Sequence, residues 1–129
     1  MINDSGKKDK KILIAEDEVA YSRSLKFKLE REGYDVTDVI NGELALDKLK
    51  KDSFDLLIID LIMPKVNGFE VLEELKNLNI KLPIIVLSNL NQEEDRKRVS
   101  DSGSVMFLDK SDISVVDVIN NVKDILKKL

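Results

Sequence analysis

The sequence predicts an α/β fold, a doubly wound five-stranded parallel sheet with five helices covering both faces. Short β-like runs alternate with longer amphipathic stretches along the 129 residues of the chain. Three of the short runs, ILIA, LLII and IIVL, are wholly apolar, which is typical of parallel strands buried on both faces. Right-handed crossovers between parallel strands then narrow the topology to doubly wound arrangements.

The first two strand–helix units occupy the N-terminal part of the chain. Strands are predicted at 11–15 (KILIA) and 34–40 (YDVTDVI), and helices at about 19–32 and through ELALDKLKK. Gly33 supplies the C-terminal stop of the first helix, and the pair Asn41-Gly42 predicts a turn before the second. Three leucines are expected to connect this second helix to the core: Leu44, Leu46 and Leu49.

Three further units complete the pattern. Strands are predicted at 54–60 (FDLLIID), 83–88 (PIIVLS) and 105–110 (VMFLDK), with helices in FEVLEELKNL, QEEDRKRVSDSG and VVDVINNVKDILKKL. Val99 is the only clearly apolar residue of the stretch 92–102, so this helix is predicted to be the least firmly anchored. The other two helices carry apolar residues at helical spacing, namely Phe69, Leu72 and Leu75, and Val115, Ile119, Val122 and Leu126.

Composition and length place limits on the kind of protein this is. Residues 1–10 are predicted to form a polar N-terminal tail and residues 11–129 a single domain. The chain has no cysteine, which fits the cytosol, and no histidine, which excludes a histidine-based catalyst or metal site. There is neither a signal peptide nor an apolar run near the ~20 residues of a membrane span, so we expect a cytoplasmic protein without membrane contact. The net charge of −4 argues against direct contact with nucleic acid by this domain.

Polar residues follow the predicted strands at the points where they end. The first strand ends at Glu16-Asp17, the third at Asp60 and the fourth at Ser88, and Lys110 follows the fifth. Each residue alone has a plain structural explanation, as a cap, a turn former or a surface charge. Because the carboxyl ends of parallel strands share one edge of the sheet, we expect all five side chains to converge around a crevice.

The chemistry of this expected cluster favours a hard metal ion and phosphoryl transfer. Glu16, Asp17 and Asp60 would repel one another, which either raises a pKa or requires a cation. Oxygen ligands without histidine or cysteine select a hard ion, best Mg²⁺. A carboxylate can attack a phosphoryl group to give an aspartyl phosphate. Mg²⁺ and Lys110 would then compensate the new charge, and Ser88 would donate a hydrogen bond.

Four segments in combination resemble the receiver domains of two-component response regulators: ILIAEDE, DLLIIDLIMPKVNG, PIIVLS and FLDK. The similarity extends over nearly the whole chain, from KILIAEDE to the last helix. It implies a flavodoxin-like sheet with the strand order 2-1-3-4-5. It also implies a regulatory phosphoacceptor that at most catalyses its own phosphorylation and dephosphorylation. The partners implied are a histidine kinase and a downstream effector protein or a covalently linked output domain, with a phosphorylation-linked homodimer as a further option.

The resemblance assigns a role to each matching residue. Asp60 corresponds to the phosphoacceptor and Asp17 to a direct Mg²⁺ ligand. Glu16 is similar to the second member of the acidic pair, which often acts through a bound water. The main-chain carbonyl of Ile62 would complete the protein ligands of the metal.

On the phosphate side, Lys110 matches the lysine that pairs with the phosphoryl group. Ser88 matches the switch Ser/Thr, and Phe107 the aromatic residue that changes rotamer with it. The main-chain N–H of Asn89 is expected to bind the phosphate as well.

Four residues depart from the family's usual pattern. Ser111 follows the lysine where the family usually has a proline joined by a cis peptide. A cis bond to a non-proline residue costs about 3 kcal/mol, so a trans loop is expected. Asn89 replaces a small residue and is expected to crowd access to Asp60. Ile62 replaces a polar side chain, which predicts slow hydrolysis of the phosphorylated form, and Phe107 lacks the hydroxyl of the commoner tyrosine.

Two alternatives remain beside the phosphorylation switch. The departures at Asn89 and Ser111 favour a binding scaffold that keeps the receiver fold without phosphorylation, whereas the intact acidic pair and Lys110 count against it. An aspartate-nucleophile phosphatase would need a second aspartate two residues after Asp60, where this chain has Ile62.

Overall fold

The sheet and helices of the chain were obtained as a computed structural model that describes residues 10–89, 97 and 105–127. The strands are β1 (Lys11–Ala15), β2 (Asp35–Val39), β3 (Leu56–Ile59), β4 (Ile84–Ser88) and β5 (Val105–Asp109). The helices in the described part are α1 (Val19–Arg31), α2 (Gly42–Lys51), α3 (Gly68–Asn77) and α4 (Val115–Lys127). The helix predicted at 92–102 lies outside the described residues apart from Lys97, and so does the tail at 1–10 apart from Lys10.

All strand pairs are parallel, and the strand order is β2-β1-β3-β4-β5. This confirms the predicted doubly wound sheet and its 2-1-3-4-5 order. Strand β1 lies between β2 and β3, with Ile12 opposite both Val36 and Leu56. Strands β3 and β4 are buried along their whole length, which explains why their sequences are apolar at every position before the final serine of β4.

The helices cover both faces of the sheet because side chains alternate along each strand. In β1, Leu13 and Ala15 belong to a core layer that also contains residues of α2 and α3. Ile12 and Ile14 point the other way, into a layer formed with α1 and α4. In the part of the chain that the structure describes, no helix is long and apolar enough to cross a membrane.

The core contacts of α2 differ from the prediction at one position. Leu44 was expected to face the core, but it is 40% exposed, whereas Ala45 and Leu49 are buried. The reason is the helix start: the Asn41 side chain accepts a hydrogen bond from the main-chain N–H of Leu44 and acts as N-cap. The helix therefore begins at Gly42, and positions three and seven residues later face the sheet.

Candidate functional site

Main-chain hydrogen bonds hold the residues at the strand ends in register with the sheet. The N–H of Glu16 donates to the carbonyl of Val39 and that of Asp60 to the carbonyl of Ala15, each at 3.0 Å. The N–H of Lys110 donates to the carbonyl of Ser88, also at 3.0 Å. Because these residues continue the pairing of their strands, the structure brings the predicted cluster together at one sheet edge.

Asp60 lies at the centre of this cluster and is only 7% exposed. Its Oδ1 accepts hydrogen bonds from the Ser88 hydroxyl at 2.9 Å and from the main-chain N–H of Ile62 at 3.2 Å. Its Oδ2 lies 3.4 Å from the Lys110 ammonium nitrogen. The carboxylate predicted to react is therefore fixed by three donors from three segments of the chain.

Lys110 is a buried cation, with 6% of its side chain exposed. Its ammonium pairs with Glu16 Oε1 at 2.6 Å and also contacts the carboxylates of Glu18 and Asp60. The same nitrogen lies 4.6 Å from the centre of the Tyr21 ring, within the range of a cation–π interaction. Burial alone would lower the pKa of Lys110, but its hydrogen bonds to Glu16 and Glu18 and the nearby charges outweigh burial and raise that pKa.

Glu16 is the most deeply buried carboxylate of the acidic pair. Burial raises the pKa of Glu16 to about 7, although the hydrogen bonds from Lys110 and from the main-chain N–H of Glu18 oppose that change. The charge of Asp60 raises the pKa of Glu16 further. Lys110 is the close cation that favours the ionised form of this carboxylate.

The acidic residues fit a hard divalent cation. Three carboxylates lie close together, those of Glu16, Asp17 and Asp60. Each offers one oxygen atom, and these three atoms all lie within 4.8 Å of one another. Asp17 is exposed while the other two are buried, so a bound ion would face both protein and solvent. Oxygen donors in this number suit Mg²⁺, which keeps several waters when it binds proteins. The carbonyl of Ile62 remains a predicted further ligand.

The remaining predicted residues surround this centre. Phe107 lies in β5 opposite Val86 and packs, partly buried, against the core layer of α2 and α3. Asn89 is exposed directly after β4. The switch role of Phe107 and the phosphate-binding role of Asn89 remain predictions.

The loop after Lys110 has no cis peptide, as expected from Ser111, and the same is true of every described peptide bond. Instead, the Asp109 carboxylate accepts hydrogen bonds from both the main-chain N–H and the hydroxyl of Ser111, at 3.0 and 2.7 Å. A side chain thus closes the turn that presents Lys110.

The loop between β3 and α3 approaches Asp60 very closely at Gly68. A Cβ atom on Gly68 would lie 2.5 Å from the carbonyl oxygen of Asp60 and 2.6 Å from the Cα of Leu61. The N–H of Gly68 donates to the carbonyl of Leu61 at 2.9 Å. Helix α3 starts there because Asn67 and Glu70 form a reciprocal capping box.

Two residues of the site were missed by the sequence reasoning, Glu18 and Tyr21. Glu18 directly follows the acidic pair in the segment EDE, so its proximity was visible in the sequence. Tyr21 lies one turn further along, in the first turn of α1, and helical spacing alone gives no reason to select it. Its contact with Lys110 depends on how α1 packs on the sheet.

The fold and the arrangement of side chains at the sheet edge agree with the comparisons with known proteins. The model of the response regulator receiver domain family matches residues 12–123. The chain therefore belongs to the response regulator receiver domain family.

Relatives and solved structures support this placement. The chain is 34% identical over 120 residues to the alkaline phosphatase synthesis transcriptional regulatory protein PhoP of Bacillus subtilis, covering 93% of this chain and 50% of that protein. It is similar to the Francisella response regulator 1452 receiver domain, with a TM-score of 0.85, 32% identity and coverage of 92% and 98%. The Thermotoga maritima response regulator TrrA, solved with Mg²⁺ and BeF, gives a TM-score of 0.77, 29% identity and coverage of 90% and 98%. This chain spans about half the length of PhoP.

Proposed function

We propose that the chain is a phosphoacceptor signalling switch in which Asp60 accepts a phosphoryl group from a histidine kinase. The groups that surround Asp60 are the main support for this proposal. Its carboxylate contacts the Ser88 hydroxyl and the Lys110 ammonium, and it shares a cation-sized cluster of oxygens with Glu16 and Asp17. Nucleophile, donors and metal ligands therefore lie within one site.

In the proposed reaction a carboxylate oxygen of Asp60 attacks phosphorus. An oxygen–phosphorus bond forms, and the bond from phosphorus to the donor nitrogen breaks, with the electron pair leaving on that nitrogen. Lys110 and Ser88 turn their donors to the phosphoryl oxygens and stabilise their charge. Mg²⁺, held by Glu16, Asp17 and Asp60, would supply further positive charge when bound. The chain has no histidine, so the donor imidazole lies outside these 129 residues.

The proposed output follows from the hydrogen bond that Ser88 would exchange. Ser88 donates to Asp60 before phosphorylation, and it would turn to a phosphoryl oxygen afterwards. Phe107, which lies in the neighbouring strand opposite Val86, would follow by changing rotamer. The resulting population shift would reshape a surface for an effector protein, a linked output domain or a second copy of the chain. Residues 1–10 would form a tail and residues 11–129 the switch itself, acting in the cytoplasm.

The test is incorporation of phosphate from acetyl phosphate. Incubation with Mg²⁺ should add the mass of one phosphoryl group, and Asp60→Asn should abolish this gain. Asp47→Asn serves as a control, because Asp47 is an exposed aspartate of α2 and its amide should leave the gain intact. No mass gain in the unmodified chain, or a gain that survives Asp60→Asn, would refute the assignment.

The alternative is a scaffold with the receiver fold that works without phosphorylation. The ion pairs that Lys110 already makes and the exposed Asn89 beside the site are the observations in its favour. A calorimetric titration with Mg²⁺ separates the two functions. Absence of binding would support the scaffold, whereas binding that Asp17→Asn removes would support the switch.

A further inference from the structure

Glu18 contributes a third carboxylate to Lys110, and among the described residues this ammonium is the group that its carboxylate contacts. It occupies the N-cap position of α1, yet its side chain makes no capping hydrogen bond. Its main-chain N–H donates to Glu16 Oε2 at 3.0 Å. The residue is 60% exposed, and its pairing with Lys110 draws the carboxylate inward across the rim of the site.

Within the described part of the chain, this contact is one of three that carboxylates make with the Lys110 ammonium. An ammonium group has three N–H donors, and Glu16, Glu18 and Asp60 are the carboxylates that face them. The Tyr21 ring covers a further side. A phosphoryl group on Asp60 would therefore compete with Glu16 and Glu18 for the ammonium.

Glu18 is the partner that Lys110 can release at least cost. Phosphorylation removes the charge of the Asp60 carboxylate, and Glu16 is buried, where a carboxylate without a close cation is strongly disfavoured. Glu18 is exposed, so water can solvate its carboxylate as soon as the contact breaks. Competition for Lys110 therefore lies between Glu18 and the incoming phosphoryl group.

We propose that Glu18 holds Lys110 in a resting position and thereby slows phosphorylation of Asp60. The inference rests on the proposed function and adds a positioning residue that acts through Lys110. Removing the contact should leave Lys110 free to meet the phosphoryl group. Because Glu18 is exposed to solvent, loss of its ion pair with Lys110 corresponds to an acceleration of up to about fivefold.

The experiment compares initial rates of phosphorylation by acetyl phosphate at saturating Mg²⁺. Glu18→Gln removes the charge, and Glu18→Asp keeps the charge but shortens the side chain by one methylene group, which withdraws it from Lys110. Glu73→Gln is the matched control, because Glu73 is exposed on α3 and its substitution changes the net charge equally. Thermal melting curves verify that each variant is folded.

We expect both Glu18 variants to be phosphorylated faster than the unmodified chain. Glu73→Gln should be phosphorylated at the same rate as the unmodified chain. Equal or slower rates in Glu18→Gln would overturn the inference. Acceleration in Glu18→Gln alone, with Glu18→Asp unchanged, would also overturn it, because charge at the rim rather than contact with Lys110 would then govern the rate. Failure of the unmodified chain to incorporate phosphate would overturn the proposed function and this inference together.

Discussion

The Ser88 hydroxyl donates a 2.9 Å hydrogen bond to Oδ1 of Asp60, and both side chains are buried. The bond joins the end of β4 to the residue that follows β3. A buried acceptor that loses such a donor keeps its desolvation cost without the compensating bond.

Ser88→Ala should therefore lower the free energy of unfolding by about 1.5 kcal/mol, the lower range for a hydrogen bond to a charged group. Urea unfolding measures this loss. Ser88→Thr keeps the hydroxyl and is the control, and it should retain most of the stability. An alanine variant as stable as the unmodified chain would show that the Asp60 carboxylate is satisfied without Ser88.

Lys110→Met should destabilise the chain much more, because it leaves Glu16 and Asp60 buried without their cation. The expected loss is about 3 kcal/mol, as for the breaking of a buried ion pair, and added Mg²⁺ should restore more stability to this variant than to the unmodified chain.

The control for this prediction is Lys123→Met, which removes an ion pair with Glu32 between partly exposed side chains. It should cost less than about 1 kcal/mol. Urea unfolding with and without Mg²⁺ measures both variants. Equal losses of stability in Lys110→Met and Lys123→Met would contradict the view that Lys110 compensates buried charge.

The strands could be predicted from the sequence because burial on both faces leaves an apolar run. Strand β1 has the predicted bounds, and β4 starts one residue after the predicted start at Pro83. Strand β3 is shorter than the predicted 54–60 and ends at Ile59, although the N–H of Asp60 still donates to the carbonyl of Ala15. The ends of a strand depend on side-chain contacts, which cannot be deduced from the hydrophobic pattern of the sequence.

The contacts of the site could be predicted only in part. The sheet topology alone places Glu16, Asp60 and Lys110 at one edge, and the sequence showed these residues at strand ends. Burial of the Lys110 ammonium under the Tyr21 ring depends on how α1 packs on the sheet. That packing involves residues far apart in the chain, so no local pattern reveals it.

Gly68→Ala should distort the site itself. The added Cβ would lie 2.5 Å from the carbonyl oxygen of Asp60, and a main-chain atom cannot withdraw as a flexible side chain would. We expect a loss of about 2 kcal/mol in the free energy of unfolding together with weaker Mg²⁺ binding. Calorimetric unfolding and a Mg²⁺ titration test both effects.

Gly42→Ala is the informative comparison for Gly68→Ala. A Cβ atom on Gly42 would lie 1.8 Å from the carbonyl oxygen of Val66. Val66 belongs to the loop between β3 and α3, and this contact does not involve Asp60. Gly42→Ala should reduce stability at least as much while weakening Mg²⁺ binding less. Unchanged Mg²⁺ affinity in Gly68→Ala would show that the close approach at Gly68 serves packing alone.

Ile62→Asn should shorten the lifetime of the phosphorylated form. Ile62 is 59% exposed, and its main-chain N–H donates to Asp60 Oδ1, so we expect its side chain to border the approach to the carboxylate. An apolar group there offers no hydrogen bond to an attacking water, whereas an amide can orient one. Decay of the phosphorylated chain after removal of acetyl phosphate measures the effect, and an unchanged decay rate would count against this role of Ile62.

Tyr21→Phe should leave the chain as stable as before or more stable by up to about 1 kcal/mol. The Tyr21 hydroxyl is buried and finds no hydrogen-bond partner among the described residues, so its removal relieves a desolvation cost. The ring beside Lys110 is retained in phenylalanine, whereas Tyr21→Leu removes it and should cost about 1 kcal/mol through the lost cation–π contact. Urea unfolding of the two variants separates the contribution of the hydroxyl to stability from that of the ring. A Tyr21→Phe variant clearly less stable than the unmodified chain would show that the hydroxyl is hydrogen-bonded in solution.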